Sequence, residues 1–152
     1  MKRVNSTKKA EDVDAIILYE GKRIRVEEDG KVRESYSRRV KVFTQRGMRS
    51  FCDLRLPFNS ECQDFRVIRA FTLTPEGRRV NVPEKAINIV SPPHYALHYS
   101  GIRESVISLL GIEKGSEIEF EVDVADRRPW RSHIDGVEIM ESEFPVERKE
   151  LK

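Results

Sequence analysis

Two thiols and three imidazoles are the residues of this chain whose chemistry could make and break covalent bonds: Cys52, Cys62, His94, His98 and His133. A thiolate beside an imidazole, with the ring oriented by a third polar group, is the arrangement that attacks an amide carbonyl. The local contexts do not supply it. Both cysteines fall in or beside stretches where apolar and polar residues alternate, whereas a nucleophilic thiol needs a helix N-terminus or fixed positive charge to lower its pKa. Cys52 and Cys62 are therefore expected to be structural thiols, and no catalytic residue is expected. A turn near Pro57–Ser60 lies about midway between them, so a disulfide across a hairpin is one arrangement. The other is a pair of free thiols, buried or partly so.

His94 and His98 are four apart, which on a helix would turn both rings to one face, as metal ligands can be. Pro92 and Pro93 before them and Gly101 after them argue against a helix of useful length. No Glu follows His94 as a helical zinc-protease motif requires, and a third ligand would have to come from His133 or Asp135. The two cysteines lack the four-ligand spacing of a structural zinc site. Exposed loop histidines are the expected reading, with neither metal nor cofactor.

Two surfaces are candidates for binding rather than catalysis. Arg33, Arg39 and Lys41, with Lys22, Arg23 and Arg25 on the preceding arm, make a basic face that would attract phosphates. The stacking rings of a single-strand-binding sheet are missing there. Tyr36 and Phe43 are read as core or near-core, and Glu27, Glu28, Asp29 and Glu34 dilute the field, so no nucleic acid is expected. The stretch Asp126-Arg127-Arg128-Pro129-Trp130 is the more interaction-like, because Trp and Arg are enriched where binding energy concentrates. Arg127, Arg128 and Trp130 are the expected interaction surface; the alternative is that Trp130 plugs one end of the fold.

These residues must be held by something, and composition bounds what. A chain of 152 residues with 38% hydrophobic and 36% charged residues is enough for one core. Lys and Arg number 28 against 26 Asp and Glu, so the overall charge does not call for nucleic acid or an anionic membrane. No apolar run approaches the 18 or so residues of a membrane span and no secretory leader opens the chain, so it is expected to be soluble, without membrane insertion or a signal peptide. Residues 1–12, with Lys2, Arg3, Lys8 and Lys9, are expected to be a disordered basic tail. Residues 13–152 are expected to form a single β-sandwich domain.

The elements alternate with a period of two. Ile24 and Val26, then Glu28-Asp29-Gly30, then Val32 onward read as a hairpin. Its second arm puts Val32, Glu34, Tyr36, Arg38, Val40 and Val42 on one face and Arg33, Ser35, Ser37, Arg39 and Lys41 on a solvent face. Phe51, Leu54 and Leu56, then Pro57–Ser60, then Phe65, Val67, Arg69, Phe71 and Leu73 read as a second hairpin. Thr74-Pro75-Glu76-Gly77 is a turn before a short strand with Val80 and Val82, and Pro83 marks that strand as an edge. Residues 92–101 read as a loop. Arg103–Leu109 is ambiguous between strand and short helix, with an adjoining hairpin through the Gly111–Gly115 turn favouring strand; Ile118, Phe120, Val122 and Val124 then alternate. Val137–Met140 and Val146–Leu151 are weaker strands. The pattern predicts an all-β antiparallel β-sandwich or barrel with room for one short helix.

Several of these fragments, in order, resemble a known family: Asp14-Ala15-Ile16-Ile17-Leu18-Tyr19, Arg38-Arg39-Val40-Lys41-Val42, Leu56-Pro57-Phe58-Asn59-Ser60-Glu61, Phe65-Arg66-Val67-Ile68-Arg69-Ala70, Thr74-Pro75-Glu76-Gly77-Arg78, and Gly111 through Phe120. From about Asp14 onward the chain resembles the domain-of-unknown-function family found N-terminal to transglutaminase-like domains in bacterial proteins. The resemblance implies an immunoglobulin-like antiparallel β-sandwich, often in an exported or periplasmic protein, with the Cys-His-Asp machinery in a downstream core. It implies a non-catalytic accessory or interaction domain, and not an enzyme in itself. The expected partner is a transglutaminase-like catalytic domain, in the same or a separate chain. The final strands and the core would then lie beyond Lys152, and an accessory domain apart from its core is expected to self-associate. The alternative is a free-standing β-sandwich binding module for a carbohydrate, peptide or protein partner.

Overall fold

In the computed structural model, which describes residues 13–92, 101–130 and 142–152, the first two alternating runs become β1 (Ala15–Val26) and β2 (Val32–Val42), an antiparallel hairpin. Its turn closes through Gly30, which sits at φ 84° and donates to the Glu27 carbonyl at 2.9 Å. Glycine adopts that left-handed backbone at no steric cost. A short helix follows, α1 (Gln45–Phe51), started by Thr44, whose hydroxyl oxygen accepts from the Gly47 amide at 3.1 Å. The chain continues as β3 (Asp53–Asn59), β4 (Gln63–Leu73), β5 (Arg79–Asn81), a 3-10 turn (Glu84–Ala86), β6 (Ile87–Val90), β7 (Ile102–Ser108), β8 (Glu117–Asp126) and β9 (Lys149–Leu151).

Among the described residues, six strands form one sheet in the order β5-β4-β8-β2-β1-β9, and three form a second in the order β3-β7-β6. Every pairing is antiparallel except that of β1 with β9. This is the expected all-β sandwich with one short helix. The ambiguous stretch around Arg103 is strand β7, and the Pro83-marked strand β5 lies at a sheet edge as expected. Between the layers, Ile17, Val40, Val42, Ala70, Ile118, Phe120 and Val122 meet Leu54, Ile107 and Leu109, with Phe51 of α1 closing one side.

Two expectations fail in an instructive way. β3 and β4 are not a hairpin, because they lie in different sheets: β3 pairs with β7, and β4 pairs with β5 and β8. The link between them carries the chain across the sandwich, held by the Gln63 side-chain carbonyl accepting from the Asn59 amide at 2.9 Å and by Cys62 N–H donating to the Asn59 carbonyl at 3.3 Å. The same holds for β7 and β8, which the Gly111–Gly115 turn joins across layers rather than side by side. A polar break between two alternating runs looks the same in sequence whichever it joins.

The second failure is of strict alternation. β1 carries a bulge between Ile17 and Tyr19, and β4 carries one between Val67 and Arg69. Each inserts a residue and exchanges the two faces beyond it. Phe65 and Val67 pack against the core as expected, but after the bulge it is Ala70 and Thr72 that are buried, at 8% and 0% exposure. Arg69, Phe71 and Leu73 therefore leave the face assigned to them. Phe71 instead takes the Arg79 guanidinium over its ring at 3.8 Å.

Candidate functional site

Strand β8 continues its inward series Ile118, Phe120, Val122 and Val124 with Asp126, a carboxylate 8% exposed where an apolar side chain would be expected. Burying it requires partners, and three donors converge on it. The Val32 amide donates to Oδ2 at 3.0 Å, Gln63 Nε2 to Oδ1 at 3.0 Å, and Trp130 Nε1 to Oδ1 at 2.9 Å. One side chain thus ties the end of β8 to the start of β2, to the start of β4 and to the segment beyond.

The expected interaction residues sit around this hub, and they divide. Arg127 is also exposed, its side chain at 44%, but its donors are engaged: it donates to the Ser60 carbonyl at 2.7 Å, to Asp64 Oδ1 at 2.9 Å and to the Gln63 carbonyl at 3.3 Å, clamping the β3–β4 link. Arg128 is exposed. Trp130 is pinned by its indole N–H yet remains 45% exposed, so it does not fill one end of the core. The Gly30 turn lies against Pro129, placing the β1–β2 hairpin tip beside the same surface. Arg128 and Trp130 are both exposed, as is Arg127, which in addition has a structural use that its residue type did not reveal.

A second polar centre lies inside the sandwich. A cavity of about 700 Å³ between the layers is lined by apolar side chains including Leu54, Leu56, Phe65 and Phe120, and by Glu20, Arg38 and Lys149. Glu20 is 6% exposed. It pairs with Arg38 at 2.5 Å and with Lys149 at 2.8 Å, and Tyr36 donates to it at 3.3 Å. Burial opposes the charged form of Glu20, but the Lys149 hydrogen bond and the nearby Arg38 and Lys149 charges outweigh it and hold the carboxyl below its ordinary value. This pair anchors β9 to β1. The sequence hid it, because only the bulge after Ile17 turns Glu20 inward. Asp126 did leave a signal, standing as a polar residue in phase with four apolar ones.

The remaining candidates are soon placed. Cys52 is exposed at the C-terminal end of α1, its thiol donating to the Arg49 carbonyl at 3.2 Å, and Cys62 is buried; the two are not joined in a disulfide. They do not face each other across a hairpin, since no such hairpin exists. His94, His98 and His133, with Asp135, lie outside the described residues, as do the 1–12 tail and the strand expected at Val137–Met140. Among the described residues no group of His, Cys, Asp and Glu is placed to hold a metal ion. No helix there is long and apolar enough to cross a membrane. The basic face of β2 is interleaved with acids from β8: Arg39 pairs with Glu119 at 2.9 Å, Lys41 with Glu117 at 3.3 Å and Arg33 with Asp123 at 4.0 Å.

Two antiparallel-dominated sheets packed face to face, with one open end organised by a buried carboxylate, define a β-sandwich domain. Residues 28–152 match the family described as a domain of unknown function with a solved structure, DUF3857, and the chain belongs to that family. No curated protein matches it. The crystal structure of a "putative protease" from Parabacteroides distasonis is similar in fold, with a TM-score of 0.86 and 20% sequence identity over 91% of this chain. The match covers 28% of the Parabacteroides chain, so this chain spans little more than a quarter of that protein's length.

Proposed function

We propose that this chain is a non-catalytic accessory domain that packs against, positions or presents substrate to a transglutaminase-like catalytic core. The observation that carries the reading is the recurrence of the whole fold as 28% of a much longer chain described as a protease. Catalysis in such a protein can reside in the remainder. The surface offered for the contact is Arg128 and Trp130, residue types that concentrate binding energy when a partner excludes water from them. Trp130 is held in place before any partner arrives, which lowers the entropy lost on docking.

The test begins with the native transcript, read through and past the Lys152 codon to identify a Cys, His and Asp in transglutaminase-like order in the same or a neighbouring frame. That polypeptide is then mixed with this chain and the association measured by calorimetry. Arg128→Ala with Trp130→Ala is expected to weaken binding about tenfold or more. Unaltered association in that variant would remove the surface from the proposal. Amide hydrolysis or acyl transfer by the purified chain, lost in Cys52→Ala or Cys62→Ala at unchanged stability, would overturn the non-catalytic reading.

A further inference from the structure

The two β-bulges lie on strands that are not neighbours, β1 and β4, yet they serve one patch of the outer face of the six-stranded sheet. Without the first, Tyr19 would continue the inward series of Ile17; without the second, Arg69 would continue that of Val67. Register places Tyr19 opposite Arg39 and Arg39 opposite Glu119, while Arg69 reaches Glu119 from the other side at 2.9 Å. Arg148, on the residue before β9, stacks its guanidinium 5.8 Å from the centroid of the Tyr19 ring. Bulges that re-aim side chains are over-represented beside functional sites, and here two converge.

Between these side chains lies a concavity of about 350 Å³, lined by Tyr19, Ser37, Arg39, Arg69, Glu119 and Arg148 and floored by the strands beneath. Three guanidinium groups face it; Glu119 is the carboxylate in its lining, and Glu121 and Glu150 beside it also pair with Arg69 and Arg148. Arg38 also borders it, but its charge is taken by Glu20 on the other face of the sheet. The lining cations are held in place rather than loose. Glu119 is clasped by Arg39 at 2.9 Å and Arg69 at 2.9 Å, Arg69 also reaches Glu121 at 3.1 Å, and Arg148 Nε donates to Glu150 at 2.9 Å. A guanidinium carries five N–H donors, so one or two carboxylates orient it without saturating it. The three side chains remain 50%, 47% and 68% exposed, open to a ligand. Gly21, just outside the concavity, leaves room for the Tyr19 side chain: a Cβ there would run into the Tyr19 hydroxyl and crowd Ser37 Oγ at 3.0 Å.

We infer that this outer-face concavity is a binding site for a compact anion, a carboxylate or phosphate group, received by Arg39, Arg69 and Arg148 with the Ser37 hydroxyl beside them. The site is separate from the Arg128–Trp130 surface and does not depend on the proposed accessory role. A ligand here would bring its own oxygens into the fork geometry that the guanidinium groups already present.

The experiment is a backbone amide NMR titration of the full chain, once with inorganic phosphate and once with citrate. Saturable shifts centred on Tyr19, Ser37, Arg39 and Arg69 are the expected result, and the anion that saturates first identifies the ligand class. Arg69→Gln with Arg148→Gln is expected to weaken binding about tenfold, the scale of a lost charge-assisted hydrogen bond. Arg46→Gln, an exposed arginine elsewhere, is expected to leave it unchanged, with unaltered melting temperatures showing that all variants fold. Shifts that rise linearly with both anions, or that persist in the double variant, would overturn the proposal and leave adventitious binding only.

Discussion

Replacing Asp126 by Ala removes the acceptor of three hydrogen bonds at once, and the three losses differ in kind. Val32 is 2% exposed and Gln63 7%, so their donors are left buried and unpaired. Each such group costs about 1–3 kcal/mol, giving about 2–6 kcal/mol for the two. Trp130 is 45% exposed, so its indole N–H regains water and adds little. Against a typical domain stability of about 5–15 kcal/mol the change is large. Urea unfolding followed by far-UV circular dichroism measures it, with fluorescence of Trp130, the chain's single tryptophan, reporting this end of the sandwich. Asp126→Asn keeps the shape and one acceptor oxygen, so a smaller loss is expected, and that variant carries the measurement if the Ala variant does not fold. Trp130→Phe is expected to cost less than about 1 kcal/mol. If Asp126→Ala stays within about 0.5 kcal/mol of wild type, or Trp130→Phe costs as much as it does, the carboxylate is not the hub described.

Glu20 titrates below its ordinary value of 4.5 in the folded chain, so its stabilisation is present above that pH and is lost as the pH falls through the folded value. Glu20→Gln is expected to cost about 2–3 kcal/mol at neutral pH, less than a fully buried pair because Arg38 keeps some water, and the gap from wild type should narrow in thermal melts below about pH 4.5. Gly47→Ala should destabilise although alanine is the better helix former, because the new Cβ would strike the Asp14 carbonyl, which already accepts from the Phe43 amide at 2.9 Å and cannot retreat cheaply; a gain in melting temperature would refute that contact. Thiol titration of the native chain should consume Cys52 quickly and Cys62 only on unfolding, and two equally fast thiols would contradict the burial of Cys62.

What was legible in the sequence was local. Alternation around Val40, Phe65 and Phe120 marked strands, and Gly30 and Gly77 marked turns, because side-chain period and left-handed glycine are properties of neighbouring residues. Which strands pair is not local: β3 finds β7 across some fifty intervening positions, as Asp53 opposite Ser108 shows. The break at Asn59–Gln63 therefore read as a hairpin. The bulges were hidden for a related reason. Ile17-Leu18-Tyr19-Glu20 and Val67-Ile68-Arg69-Ala70 contain no glycine to advertise an irregularity, and only the register with β2 and β8 reveals the extra residue. Everything downstream of each bulge changed face, which is how Glu20 became a buried anchor and Arg69 an outer-face cation. The short helix was expected but its place at Gln45–Phe51 was not, because Phe51 served equally well as the start of a strand.

Adjacent arginines at the end of β8 show why residue type alone did not separate a structural arginine from one in the proposed interaction surface. Arg127 and Arg128 are chemically identical, yet only Arg127 reaches the carbonyls of Ser60 and Gln63, and it fixes the direction in which the chain leaves the sheet. Asp126 does the same from the other side by holding the Trp130 indole. The exposed Trp130 is thus held by a buried carboxylate, and the chain at the neighbouring Arg128 leaves the sheet beside a clamped guanidinium. An aromatic side chain already fixed loses little further freedom on docking, so the hub and the surface are one device. On the proposed accessory role, Asp126→Asn, chosen to keep the fold, should weaken association with the proposed catalytic partner although Asp126 is itself buried. Loss of affinity in Trp130→Ala but none in Asp126→Asn would show instead that the indole acts by its type and not by its preset orientation.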